Sequence, residues 1–306
     1  MNFQRSEWMD LKLVSLTKAL EVQGHKSCIC PESCICPDRR WAMPHLYYPV
    51  LSRRLKPTLN KISRFTMKRL SLQKLVKIYR GRRVVDSVTL NVDRGVVTGL
   101  LGPNGAGKTT TFYMAVGMVR PEKGSVFLDQ EDITSHPMYL RARKGIGYLP
   151  QEASIFKKLT VEQNIMVILE TLNISKSEQK QRINELLDEL GIKRLANQKA
   201  GFLSGGERRR LEITRALTTN PSFILLDEPF AGIDPLAIID IKDIILHLKN
   251  RGIGILISDH NVRETLEVCD KAYILSDGKV IEFGSPEKIA SSETARRIYL
   301  GNGFKL

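Results

Sequence analysis

The stretch VVTGLLGPNGAGKTTTFYMAVGMV, residues 96–119, decides the fold. It opens with an apolar run up to Leu101 that reads as a buried strand, and it closes with a run that reads as a helix. Between them Gly102, Pro103, Asn104, Gly105, Ala106, Gly107, Lys108 and Thr109 fit G-x-x-x-x-G-K-T, the phosphate-binding loop in the strand–loop–helix context it requires. Glycine at those positions lets backbone N–H groups converge on phosphate oxygens, and the helix adds the positive end of its dipole. Lys108 is expected to neutralise the β- and γ-phosphates of a nucleotide and Thr109 to ligate Mg²⁺, with Thr110 completing the loop.

Two further stretches extend this chemistry. FILLDEP, residues 223–229, is a buried strand pattern ending in two carboxylates, which its C-terminal end delivers to the phosphate crevice. Asp227 is expected in the Mg²⁺ shell and Glu228 as the general base that polarises water. LSGGERRR, residues 203–210, places Ser204 and Glu207 at capping-box spacing, so a helix should begin there with free N–H groups. Gly205 and Gly206 at that tip permit close approach of an anion. The chain already spends one loop on its own phosphates, so the second anion site invites a nucleotide held elsewhere.

GPNGAGKTT, LSGGE, ILLDEP and ISDH, in the order in which the chain carries them, resemble the nucleotide-binding subunits of ABC transporters over residues 67–306. The resemblance implies an α/β fold: a P-loop NTPase (RecA-like) core with an antiparallel β subdomain and an inserted α-helical subdomain at about 152–219. It implies ATP and Mg²⁺ as cofactors, and a head-to-tail homodimer in which Ser204, Gly205, Gly206 and Glu207 cap the ATP of the other copy. In the same likeness Tyr79 matches the aromatic that stacks on adenine. Gln151 matches the loop glutamine near Mg²⁺, Asp234 the loop that crosses the dimer, and His260 the contact to the γ-phosphate.

Composition reads as globular and soluble: 42% hydrophobic and 26% charged residues, with no apolar run long enough to span a membrane. No secretory segment is legible at the N-terminus, so a cytoplasmic location is expected. The net charge of +14 allows a nucleic-acid or anionic-membrane partner, but a single cassette without an aromatic-rich basic stripe speaks against nucleic acid. Residues 1–66 differ from the rest. They hold four of the five cysteines and both tryptophans but one of the 22 glycines, with eleven basic against five acidic side chains. They read as an N-terminal extension, or as an over-extended start ahead of Met67. The Cys-Ile-Cys-Pro repeat at Cys28–Pro37 lacks the usual C-x₂-C zinc spacing.

Between Gln151 and Leu203 the pattern is helical, with Thr160 and Gln163 at capping-box spacing and Gly191 as a stop. In the family this insertion faces the transmembrane permease subunits, two of which the dimer is expected to drive from the cytoplasmic side of a bacterial inner membrane. YLPQEASIF, residues 148–156, forms one wall of the docking groove, with Phe156 as the partner contact. This stretch, with KIYRGRRVV, DHNVRETLEVCD and the closing RIYLGNGFKL, resembles the ATPases of lipopolysaccharide export. An importer ATPase, such as one for branched-chain amino acids, is the alternative.

Overall fold

The computed structural model describes residues 69–152, 154–301 and 303–304. The expectations for residues 1–66, including the cysteine repeat, lie outside the described residues, as does part of the closing RIYLGNGFKL.

Two sheets organise the chain. The first holds β1 (Arg69–Tyr79), β2 (Arg82–Asp93), β4 (Lys123–Leu128) and the short β5 (Glu131–Asp132) in the order β2-β1-β4-β5, all antiparallel. The second runs β10 (Lys279–Gly284), β9 (Lys271–Ser276), β3 (Val97–Leu101), β8 (Gly254–Ser258), β7 (Phe223–Asp227) and β6 (Ile146–Leu149). It is parallel from β9 to β6, and only β10 pairs antiparallel.

The central strands β3, β7 and β8 are buried throughout and mostly apolar because both faces are covered. On β7, Ile224 and Leu226 point into one core while Phe223 and Leu225 point into another. β8 alternates likewise, with Ile255 and Ile257 on one side and Leu256 on the other. The first core takes in the helices of the insertion, α3 (Val161–Leu169) and α4 (Lys176–Glu189), together with α5 (Gly205–Leu217) and α6 (Pro235–Asn250). The second lies between the two sheets and buries Phe112, Met114 and Ala115 of α1 (Lys108–Val116). α2 (Met138–Arg143) precedes β6, and α7 (Val262–Val268) follows β8. Capping boxes start α3 at Thr160/Gln163, α4 at Ser175/Glu178 and α5 at Ser204/Glu207. Gly191, with φ +65°, follows the end of α4.

Candidate nucleotide site

The loop Gly102–Gly107 joins β3 to α1 and is fixed by close backbone packing. Gly102 has φ +148°, and a Cβ there would sit 2.1 Å from the Leu275 carbonyl; at Gly107 (φ +101°) it would sit 2.6 Å from that of Val84. No L side chain fits either position, so glycine is required before any ligand is considered. Asn104 and Gly105 are exposed at the tip, Pro103 half-buried and Ala106 buried, while Thr109 and Thr110 are partly accessible at the start of α1. Lys108 is buried, its Nζ donating to the carbonyls of Gly102 (2.6 Å) and Pro103 (3.1 Å). Burial lowers its pKa, and the negative charges of Glu228, Asp227 and Asp259 oppose that effect. The lysine therefore sits in the field of the acidic strand ends it was expected to meet.

β7 ends at Asp227, and the chain turns at Glu228 with φ +49°. That left-handed conformation is costly for a non-glycine residue and is held by the Glu228 N–H donating to Ser258 O at 2.6 Å. The turn aims the carboxylate at two residues from other strand ends. Gln151, just past β6, donates its Nε2 to Glu228 Oε2 at 2.8 Å, and His260 Nδ1, just past β8, lies 3.5 Å from the same oxygen. Three residues far apart in sequence thus meet at one carboxylate because three parallel strands end side by side.

Asp227 is almost fully buried, and its Oδ2 has no hydrogen-bond partner among the described residues. Burial, reinforced by the charge of Glu228, pushes its carboxyl up to about 6, against the pull of Tyr148, Arg209 and Lys108. An orphaned carboxylate oxygen, with a threonine hydroxyl and a glutamine amide among the site residues, fits a hard divalent cation that takes oxygen ligands. A pH effect follows. Folded Asp227 keeps its proton to about pH 6, whereas the unfolded group loses it near 3.8, so the folded state binds more protons between those values. Stability from this group therefore falls as pH rises through that window. Asp227→Asn should stabilise the nucleotide-free protein by about 3 kcal/mol at pH 7 and by little near pH 4. Thermal unfolding at the two pH values measures this, and equal shifts would contradict it.

Two supporting residues escaped the sequence reading. Arg209, buried on α5, donates from Nη2 to the carbonyls of Glu228 (2.9 Å) and Asp227 (3.2 Å), and from Nε to that of Pro229 (3.3 Å). Its Nη1 reaches Pro150 O (3.3 Å), next to Gln151, and Glu212 Oε2 (2.9 Å). Asp259, fully buried, accepts the N–H groups of Phe230 (2.9 Å) and Asn261 (2.8 Å). Burial raises its pKa. The two residues fix the backbone on either side of Glu228 and His260.

The structure brings together Gln151, Asp227, Glu228, His260 and the charge of Lys108. It places Ser204, Gly205, Gly206 and Glu207 elsewhere, at the N-terminus of α5, with Ser204 and Gly205 exposed. There Gly206 abuts α6: a Cβ on it would lie 3.0 Å from that of Ala237. Asp234 is exposed at the start of α6, followed by Leu236 at 81% and Ile239 at 56% exposure. Tyr79 stands half-exposed at the end of β1 with Lys77 Nζ 5.3 Å from its ring centre. Phe156 is 46% exposed, beyond Gln151 in the same loop.

A phosphate loop on a parallel sheet, with two acidic residues at the end of β7 one strand beyond β8, makes this a P-loop nucleoside triphosphatase. The ABC transporter family matches residues 85–231. The lipopolysaccharide export system ATP-binding protein LptB of Escherichia coli (strain K12) is 55% identical over 241 residues, covering 78% of this chain and 100% of that one. The protein of the same name from Haemophilus influenzae is 54% identical over 238 residues, 78% of this chain and 99% of its own. Among solved structures, the ADP conformation of MJ1267, an ATP-binding cassette of an ABC transporter, superposes with a TM-score of 0.69. It is 30% identical and covers 78% of this chain and 100% of its own. A dimeric structure of MJ0796, a bacterial ABC transporter cassette, matches at 0.63 with 25% identity over 71% of this chain and 98% of its own. The chain belongs to the ABC transporter family as an ATP-binding subunit. It binds ATP, and no described helix is long and apolar enough to cross a membrane.

Proposed function

We propose that this protein hydrolyses Mg²⁺·ATP as the homodimeric motor of a lipopolysaccharide exporter, working beneath transmembrane subunits at the inner membrane. The observation that supports the cargo assignment is the 55% identity to a lipopolysaccharide export relative across that relative's whole length.

In this reading Lys108 and the N–H groups of Asn104–Thr110 bind the phosphates. Thr109, Gln151 and Asp227 hold the Mg²⁺, which supplies charge neutralisation at the phosphoryl oxygens. Glu228 orients water and takes its proton, held in place by Gln151 and backed by His260 at 3.5 Å. Tyr79 packs on the base. Ser204, Gly205, Gly206 and Glu207 cap the nucleotide of a second copy. The exposed Leu236 and Ile239 beside Asp234 support a face that is covered on dimerisation. Bound nucleotide then favours the closed dimer, and hydrolysis releases it.

Phe156 is the partner contact. Phe156→Ala in the complete transporter should lower ATP-driven lipopolysaccharide release about tenfold, on the scale of losing one buried aromatic anchor. Release from proteoliposomes measures this, and unchanged release would remove Phe156 from the interface. Isolation of the native complex tests the cargo: membrane partners of an amino acid importer would overturn it.

A further inference from the structure

Away from the nucleotide, the segment Ser154–Phe156 is gripped from two helices. Asn164 of α3 is fully buried, and its Nδ2 donates to Phe156 O (3.1 Å) and Thr160 O (2.9 Å) while its Oδ1 accepts the Phe156 N–H (2.8 Å). One amide side chain thus satisfies both backbone groups of Phe156, as a neighbouring strand would. From the other side Arg215 of α5 donates through Nη1 to the Ser154 carbonyl, and its guanidinium carbon lies 4.8 Å from the centre of the Phe156 ring. Among the described residues its buried Nε has no partner. A half-buried cation with one buried donor unmet is not optimal for stability alone. What the residue gains in return is its hold on Ser154 and the Phe156 ring.

The same helix carries Arg209, whose guanidinium holds the carbonyls of Asp227, Glu228 and Pro229. The two arginines stand six residues apart, about 9 Å along the helix axis. A single helix therefore grips the catalytic turn with one side chain and the loop beyond Gln151 with another. We propose that Arg215 is a positioning residue that ties Phe156 to α5, so that force applied by a membrane partner at Phe156 reaches the catalytic turn through α5. Asn164 fixes the loop backbone against which this contact works. The inference rests on the reading of Phe156 as the partner contact.

The test is a double-mutant cycle in the complete transporter, reading ATP-driven lipopolysaccharide release from Phe156→Ala, Arg215→Met and the pair. Arg215→Met should lower release about fivefold, on the scale of a half-exposed cation–π contact, and Arg215→Lys should restore part of it. In the Phe156→Ala background Arg215→Met should add nothing; losses that multiply would overturn the proposal. Amide exchange of the isolated protein separates the clamp from the partner reading. With Arg215→Met, exchange in residues 154–156 should rise about tenfold while α3 and α5 keep their protection. Unchanged exchange in the loop, or a uniform rise throughout, would overturn the clamp even where Phe156→Ala abolishes release. Unchanged release in Phe156→Ala with a loosened loop in Arg215→Met would instead sink the partner reading and, with it, the transmission role.

Discussion

Glu228→Gln should lower ATP turnover about 10³-fold, the scale of losing a positioned general base, while ATP binding persists and a closed dimer accumulates. The substitution keeps the shape of the side chain. The backbone constraint at φ +49° and the N–H bond to Ser258 O do not depend on the carboxylate, and the new amide oxygen can still accept from Gln151 Nε2. What disappears is the negative charge and the ability to take a proton. Nucleotide affinity should survive, because the charge of Glu228 is one of the two causes that raise the Asp227 carboxyl. Removing it makes Asp227 easier to ionise and so a better cation ligand. Lys108 loses one of the charges that hold it protonated, but Asp227 and Asp259 remain. The expected signature is thus a split: kcat collapses while KM stays level or falls. Phosphate release gives the first quantity, and size-exclusion chromatography with ATP reports the dimer. Turnover within tenfold of the wild type would move the base elsewhere.

Much of this site was legible in the sequence because its parts are backbone devices with strict residue demands. A loop that packs Gly102 against Leu275 O and Gly107 against Val84 O accepts only glycine, so its pattern survives as letters. An apolar strand ending in two carboxylates is equally plain, since β7 is buried on both faces. Capping boxes at Thr160 and Ser204 are local and appear as read. Arg209 stayed hidden for the opposite reason. It stands in a run of three arginines, which on a helix looks like a solvated face. Its position four residues before Ile213 and eight before Leu217 puts it on the inward side, a signal available only once the helix phase is fixed. Asp259 hid within ISDH, where its neighbour His260 drew the functional reading while the aspartate holds two N–H groups from other parts of the turn. The meeting of Gln151, Glu228 and His260 depends on strand order, which no local pattern encodes.

Arg209→Met should be the most damaging substitution on α5, and its damage has two separable parts. The first is stability. The Arg209–Glu212 pair is buried on both sides, with side chains 7% and 4% exposed at 2.9 Å, and Glu212 Oε1 already lacks a partner. Removing only the arginine leaves a buried carboxylate without its cation, which costs about 3–5 kcal/mol. The second part is catalytic geometry. Three carbonyls of the turn, those of Asp227, Glu228 and Pro229, lose their common donor, as does Pro150 O beside Gln151. A displacement of about 1 Å in a catalytic group costs on the order of 10²-fold in rate. The double variant Arg209→Met with Glu212→Leu distinguishes the two, because it replaces the ion pair by apolar side chains and leaves no charge behind. Its melting temperature should return most of the way to that of the wild type, while its turnover should remain depressed about 100-fold with ATP still bound. Recovery of turnover together with stability would show that Arg209 serves only the fold, and that the turn at Glu228 keeps its shape through Ser258 and Asp259 alone.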